Sequence, residues 1–138
     1  MGIAVLRVGT GIVFLLSGVH KLFIHGFSGT AESVGGHLGS SLAVPVAVVV
    51  LLVEPVCGMG LVLGLFTRLV SVPLALLMLA DVLYFHSARG FPPEDYGFEY
   101  ALLRLAASCA LVFTGPGEVA LDNARALRER SILPRLLR

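Results

Sequence analysis

Six ionisable side chains stand inside or at the ends of long apolar runs in this chain: Arg7, Lys21, Glu54, Asp81, His86 and Arg104. Insertion scales put a charge at membrane depth several kcal/mol uphill, so it persists where it is paired, hydrated or used. Each type suits a different step of proton-coupled chemistry. Glu54 is the single charge of an apolar run and lies at its middle, where a carboxyl can take up and hand on a proton. His86 lies at the outer end of another run, and its imidazole exchanges protons near neutral pH, which suits relay to a surface. Arg104 and Arg7 carry guanidinium donors suited to a quinone carbonyl or an anion. On these grounds Glu54 and His86 are the candidate catalytic residues, and Arg7, Lys21, Asp81 and Arg104 the candidate binding residues. A structural reading competes: buried ion pairs such as Asp81 with Arg104 also fix helix register without any chemistry.

The spacing indicates which of these groups meet. Arg7, Thr10, Gly11, Phe14, Gly18 and Lys21 recur at helical intervals, and Glu54, Cys57, Gly58 and Leu61 share a second helical face. These two stripes are expected to meet in a common core, with Gly60-x-x-x-Gly64 offering a close helix contact beside them. Matching depths put Arg104 within salt-bridge reach of Asp81 or Glu54. His20, Lys21, His86, Glu99, Tyr100, His25 and His37 gather toward one end, where interfacial anchoring explains His20, His25 and His37 equally well.

The elements that must hold these residues follow from composition. The chain has 138 residues, 57% hydrophobic and 14% charged, against ~25% charged in soluble domains. So much apolar surface exceeds what one small core can bury, and the remainder faces lipid. An integral membrane, all-α four-helix bundle is the economical fold, with spans near residues 3–23, 42–66, 69–85 and 98–114. Residues 1–117 then form the transmembrane domain. The segments His25 to Ser41 and His86 to Gly97 are Gly, Ser and Pro rich, as connecting loops are. No run alternates as a barrel strand must.

A net charge of +1 leaves no basic face for nucleic acid. Cys57 and Cys109 are far apart in sequence, with neither a C-x-x-C nor zinc-ligand spacing, and are expected to be small buried hydrophobes rather than a redox pair. No helix carries His at i, i+4, and no haem, flavin or cluster motif is present, so no metal site and no tightly bound cofactor is expected. Arg68, Arg125, Arg128, Arg130, Arg135 and Arg138 outnumber Lys21 and Arg89, which places both termini in the cytoplasm and the chain in a bacterial inner membrane. Residues 118–138 form a basic tail, either an interfacial helix capped by Asp122 or Asn123 or a solvated segment.

The run from Glu54 through Gly58, Leu61, Gly64 and Thr67 to Arg68, and the later Thr114-Gly-Pro-Gly117 with Leu121-Asp122, resemble the DoxX family of small four-helix bacterial membrane proteins. Leu6-Arg7, Gly11, Phe14, Gly18 and Lys21 fit the same pattern, as do Met78, His86, Gly90 and Tyr100. The resemblance spans nearly the whole chain, and Asp81 and Pro55 depart from it. It implies fold and membrane location, and links to quinone-coupled sulfur oxidation and to membrane redox complexes.

Two functions compete. A quinone-linked redox subunit would use Glu54 as proton acceptor and His86 as relay, with electrons exchanged through a soluble redox partner. A non-catalytic anchor or assembly subunit would keep the core charges structural and carry its contacts on loops and tail. A transporter fits less well, because the four helices lack an internal repeat.

Overall fold

The computed structural model describes residues 1–86, 99–117 and 120–122, without the side chains of His37, Phe85 and His86. Five α-helices make up the described chain: α1 Gly2–His20, α2 Gly26–Leu38, α3 Ser40–Leu63, α4 Thr67–Ala80 and α5 Glu99–Thr114. Two π-helical segments interrupt them, Lys21–His25 between α1 and α2, and Asp81–His86 after α4. Three continuous helical stretches are long and apolar enough to cross a membrane: Gly2–Gly36, Ser40–Leu63 and Thr67–Tyr84. Helix α5 adds 16 residues and completes a ring in which α1 packs on α3, α3 on α4 and α4 on α5. The ring closes more loosely between α5 and α1.

The two expected stripes do face inward. Arg7, Thr10, Gly11, Phe14 and Gly18 are the buried residues of α1, and Glu54, Cys57, Gly58 and Leu61 are among those of α3. Phe14, Cys57, Leu61, Leu74, Met78 and Leu111 form the hydrophobic core. Glycine makes the α1–α3 approach possible. A Cβ on Gly58 would lie 2.7 Å from the Leu15 nitrogen, and one on Gly11 2.9 Å from the Gly58 oxygen, so neither position has room for a side chain.

Two expectations are corrected. The Gly/Ser-rich stretch from His25 to Ser41, expected to be a loop, is mostly helix α2. In a bilayer the backbone must satisfy its own polar groups, which outweighs the loop tendency of Gly and Ser. Small residues also help the packing: Gly35 lies so close to α3 that its Cβ would sit 3.3 Å from that of Ala43. The second correction concerns Gly60-x-x-x-Gly64: Gly60 lies close to α4, where its Cβ would sit 3.2 Å from Val70 Cγ1, while the α1–α3 approach is made by Gly58 and Gly11. Gly64 instead ends α3 in the left-handed conformation (φ 70), and Leu65 N donates to Gly60 O at 2.9 Å, a C-terminal capping pattern. The α3–α4 turn therefore comes at Gly64–Phe66, and Thr67-Arg68 opens α4.

That turn is clasped by the segment after α5. Asp122, expected as a cap for a tail helix, instead places its carboxylate on α4: Oδ1 accepts from Phe66 N at 2.9 Å and Oδ2 from Thr67 N at 3.2 Å. Its own backbone N donates to Gly64 O at 3.2 Å. The clasp thus neutralises amides that would otherwise end α4 unpaired, and an acid suits that end of the helix dipole. Gly115 (φ 78) lies against the Arg68 guanidinium, and Gly117 (φ 71) against Ile3. Residues 123–138, and with them the rest of the tail reading, lie outside the described residues. Asp122→Ala is expected to lower stability by about 1 kcal/mol, the usual loss for a helix cap, seen as a lower Tm in detergent while Asp122→Asn retains part of it.

Candidate functional site

Between Gly18 and Gly35 the first arm uses seventeen residues, while α3 uses only twelve between the points they touch, Pro55 and Ala43. The surplus bows outward through the π segment Lys21–His25 and the left-handed Gly26 (φ 67). A partly open cavity of about 860 Å³ fills the bow. Its walls are apolar, with Val46, Val49, Val50 and Val53 from α3 and Leu76, Leu77 and Met78 from α4. Thr30, Ser33, Val34 and Leu38 of α2 close another side. Polar groups gather at Ser17, His20, Lys21, His25, Glu54, Asp81 and Tyr84. Both π segments border this space, in keeping with the frequent use of such distortions at functional sites.

The charged centre is Glu54, whose side chain is 0% exposed. Lys21 reaches it from α1's end, Nζ donating to Oε1 at 2.7 Å. Arg104 approaches the same oxygen from α5, with Nη2 at 3.9 Å. Its Nη1 donates to Ser17 Oγ at 3.4 Å, and the guanidinium lies 4.1 Å from the Phe14 ring centre and 5.3 Å from that of Tyr100. Two cations therefore surround one carboxylate. Glu54 Oε2 is buried with no hydrogen-bond partner among the described residues. A buried acceptor left in that condition costs about 1–3 kcal/mol.

Pro55 helps to set the centre in place. A Cβ on Gly18 would lie 2.5 Å from Pro55 Cδ, so Gly18 admits the ring and brings α1 against Glu54. The acid that meets Arg104 is Glu54, one of the two partners expected for it. Asp81 also lines the cavity, whereas Arg7 does not join the group: it is buried at the α3–α4 turn, its guanidinium against Gly64. The backbone of His86 ends the second π segment, but its side chain lies outside the described residues. The His20 and His25 rings, both lining the cavity, lie 5.2 Å apart between centres and are tilted 54° to each other. Glu99 and Tyr100 are exposed.

Sequence reasoning missed the contribution of α2. Thr30, Val34 and Leu38 stand at i, i+4 and i+8, a helical face that was legible but was outweighed by the surrounding glycines and serines. It also missed Ser17 and the aromatic bed of Arg104. Among the described residues, no group of three or more His, Cys, Asp or Glu side chains could hold a metal ion.

Apolar helices in a closed ring around a charged centre define a helical integral membrane protein with an internal ionic site. The chain belongs to the DoxX family, whose sequence profile matches residues 2–87. A Bacillus subtilis (strain 168) protein named "Putative oxidoreductase CatD" is 32% identical over 124 residues, which cover 88% of this chain and 85% of that protein. An uncharacterized protein of Haemophilus influenzae is 34% identical over 124 residues, covering 88% of each chain. No solved structure matches.

Proposed function

We propose that this DoxX-family protein is the quinone-binding membrane subunit of an oxidoreductase complex, with both termini on the cytoplasmic side. The observation that carries the reading is Glu54, its Oε2 buried and without a hydrogen-bond partner among the described residues, in the wall of a cavity that joins an apolar stretch of α3 and α4 to a polar group around His20, Lys21 and Asp81. A quinone needs both parts, an apolar channel for its isoprenoid chain and a few polar groups for its oxygens. A volume of about 860 Å³ lies within the ~300–1,000 Å³ of small-molecule sites. The likeness to a protein named as an oxidoreductase supports the same class.

A quinone held there would supply the electron chemistry, exchanging electrons with a redox partner protein. The chain's own residues handle protons and orientation. Glu54 holds or accepts a proton at Oε2, and Lys21 and Arg104 hold the carboxylate by Oε1. Asp81 offers a second polar contact from across the cavity, and His86, two residues beyond the cavity-lining Tyr84, passes protons outward.

The test is organic extraction of the purified protein for quinone, with turnover measured in membranes carrying its partners. Glu54→Gln keeps the Lys21 hydrogen bond through its carbonyl but loses the titratable oxygen. Turnover per folded molecule is expected to fall by about 10²-fold or more, the typical loss of a proton-transfer group, with quinone still bound. Absence of quinone together with unchanged turnover in the Gln variant would leave the anchor-subunit reading in its place.

A further inference from the structure

Helices α3 and α4 touch near their turn, where a Cβ on Gly60 would lie 3.2 Å from Val70 Cγ1. Farther from the turn the same two faces part. Val53, Val49 and Val46 continue the Gly60 face along α3, while Leu77, Asp81 and Tyr84 continue the Val70 face along α4 and the π segment after it. All six line the cavity beside Glu54. Accordingly α3 and α4 pack together less than α1 and α3 or α4 and α5 do. Residues that line the cavity and are also exposed mark its rim, and the rim has two chemistries. Between α3 and α4 it is apolar, with Val49 52% and Leu76 62% exposed. Along the first arm it is polar, with His20, His25 and Ser33 exposed.

Depth decides what meets the apolar edge. Helix α3 and the stretch Thr67–Tyr84 are both long and apolar enough to cross a membrane. Val49 lies ~13.5 Å along α3 from Ser40, and Leu76 ~13.5 Å along α4 from Thr67, at the helical rise. Both therefore fall within a hydrocarbon layer ~30 Å thick. An apolar opening at that depth faces acyl chains, not water. Val49 is also only ~7.5 Å along α3 from Glu54, so a molecule in the cleft can bring its head to Glu54 and Lys21 while its chain is still among the lipids.

We infer that the cavity takes its ligand sideways from the bilayer through the α3–α4 cleft, with Val49 and Leu76 as the lips, and that the bound ligand keeps its chain between them. The inference rests on the quinone reading and adds the route and the place of the chain. It is tested on the full chain in phospholipid nanodiscs with three probes: a decyl benzoquinone, the same benzoquinone without a chain, and the decyl compound carrying a diazirine at mid-chain. On illumination the diazirine is expected to label residues within 42–53 and 73–80, located by mass spectrometry. Leu76→Trp and Val49→Trp narrow the cleft at its lips, and each is expected to lower the preference for the decyl over the chainless quinone about tenfold, the effect of displacing about two methylene groups from their contacts. Ser33→Trp narrows the polar edge instead. Labelling confined to residues 25–33, an undiminished preference in both lip variants, or loss of the preference in Ser33→Trp alone would overturn the route and leave the quinone reading standing. Failure of the unmodified protein to bind either quinone would overturn both. The labelling pattern of the unmodified protein decides the route even if the tryptophan variants do not fold.

Discussion

Gly58→Leu is expected to cost about 3 kcal/mol, the upper end of the overpacking range, and to lower Tm in detergent more than any single truncation of a lipid-facing residue. The obstacle on the other side of the contact is backbone, not a side chain that can rotate away. A Cβ at this position would lie 2.7 Å from the Leu15 nitrogen and 3.0 Å from the Gly11 oxygen. Helix α1 must therefore retreat along its length, and the same movement draws Lys21 away from Glu54. Gly9, on the opposite face of α1, meets nothing within 4 Å, so Gly9→Leu provides the control. Thermal unfolding of both variants separates the effect of glycine's place from that of glycine's helix propensity. Equal losses in the two would show that α1 and α3 do not depend on this approach.

The contrast between Gly58 and Gly60-x-x-x-Gly64 shows what the sequence could and could not reveal. The stripes of α1 and α3 were legible because burial in a helix repeats every three to four residues, and on each helix one face gathered the charged groups with small residues between them. Which glycine sits in the contact was not legible, because several on α3 could supply it and only tertiary register decides. The Lys21–His25 π segment was hidden for a related reason: it goes with a length mismatch between two packed arms, seventeen residues against twelve, not with residue type. Asp122 illustrates a third limit. As a helix cap its chemistry was readable, but the helix it caps begins 55 residues earlier in the chain. Two segments that carry the resemblance, Glu54 to Arg68 and Thr114-Gly-Pro-Gly117 with Leu121-Asp122, meet in one clasp, Asp122 on Phe66 and Thr67 and Gly115 on Arg68. Their side chains secure an end of the bundle, while Glu54 and Lys21 build the site.

The centre itself predicts an asymmetry among its three charges. Removing Glu54 leaves two cations with no anion between them. Lys21, 34% exposed at its side chain, can extend toward water, but Arg104, 9% exposed at its side chain, is held over Phe14 and cannot. Glu54→Leu is therefore expected to cost about 3–5 kcal/mol, as for other buried pairs that lose one partner. Lys21→Met should cost less, about 1–2 kcal/mol, because Arg104 needs to move only slightly from its 3.9 Å separation to take over the hydrogen bond. The double variant Glu54→Leu/Arg104→Met removes the stranded cation together with its anion, and apolar replacement of a buried pair is close to neutral. It should thus recover most of the loss of Glu54→Leu alone. A double-mutant cycle on detergent unfolding measures this coupling directly. Additive costs for Glu54 and Arg104 would mean that Lys21 alone balances the carboxylate and that Arg104 is held in place by Ser17 and its two aromatic rings.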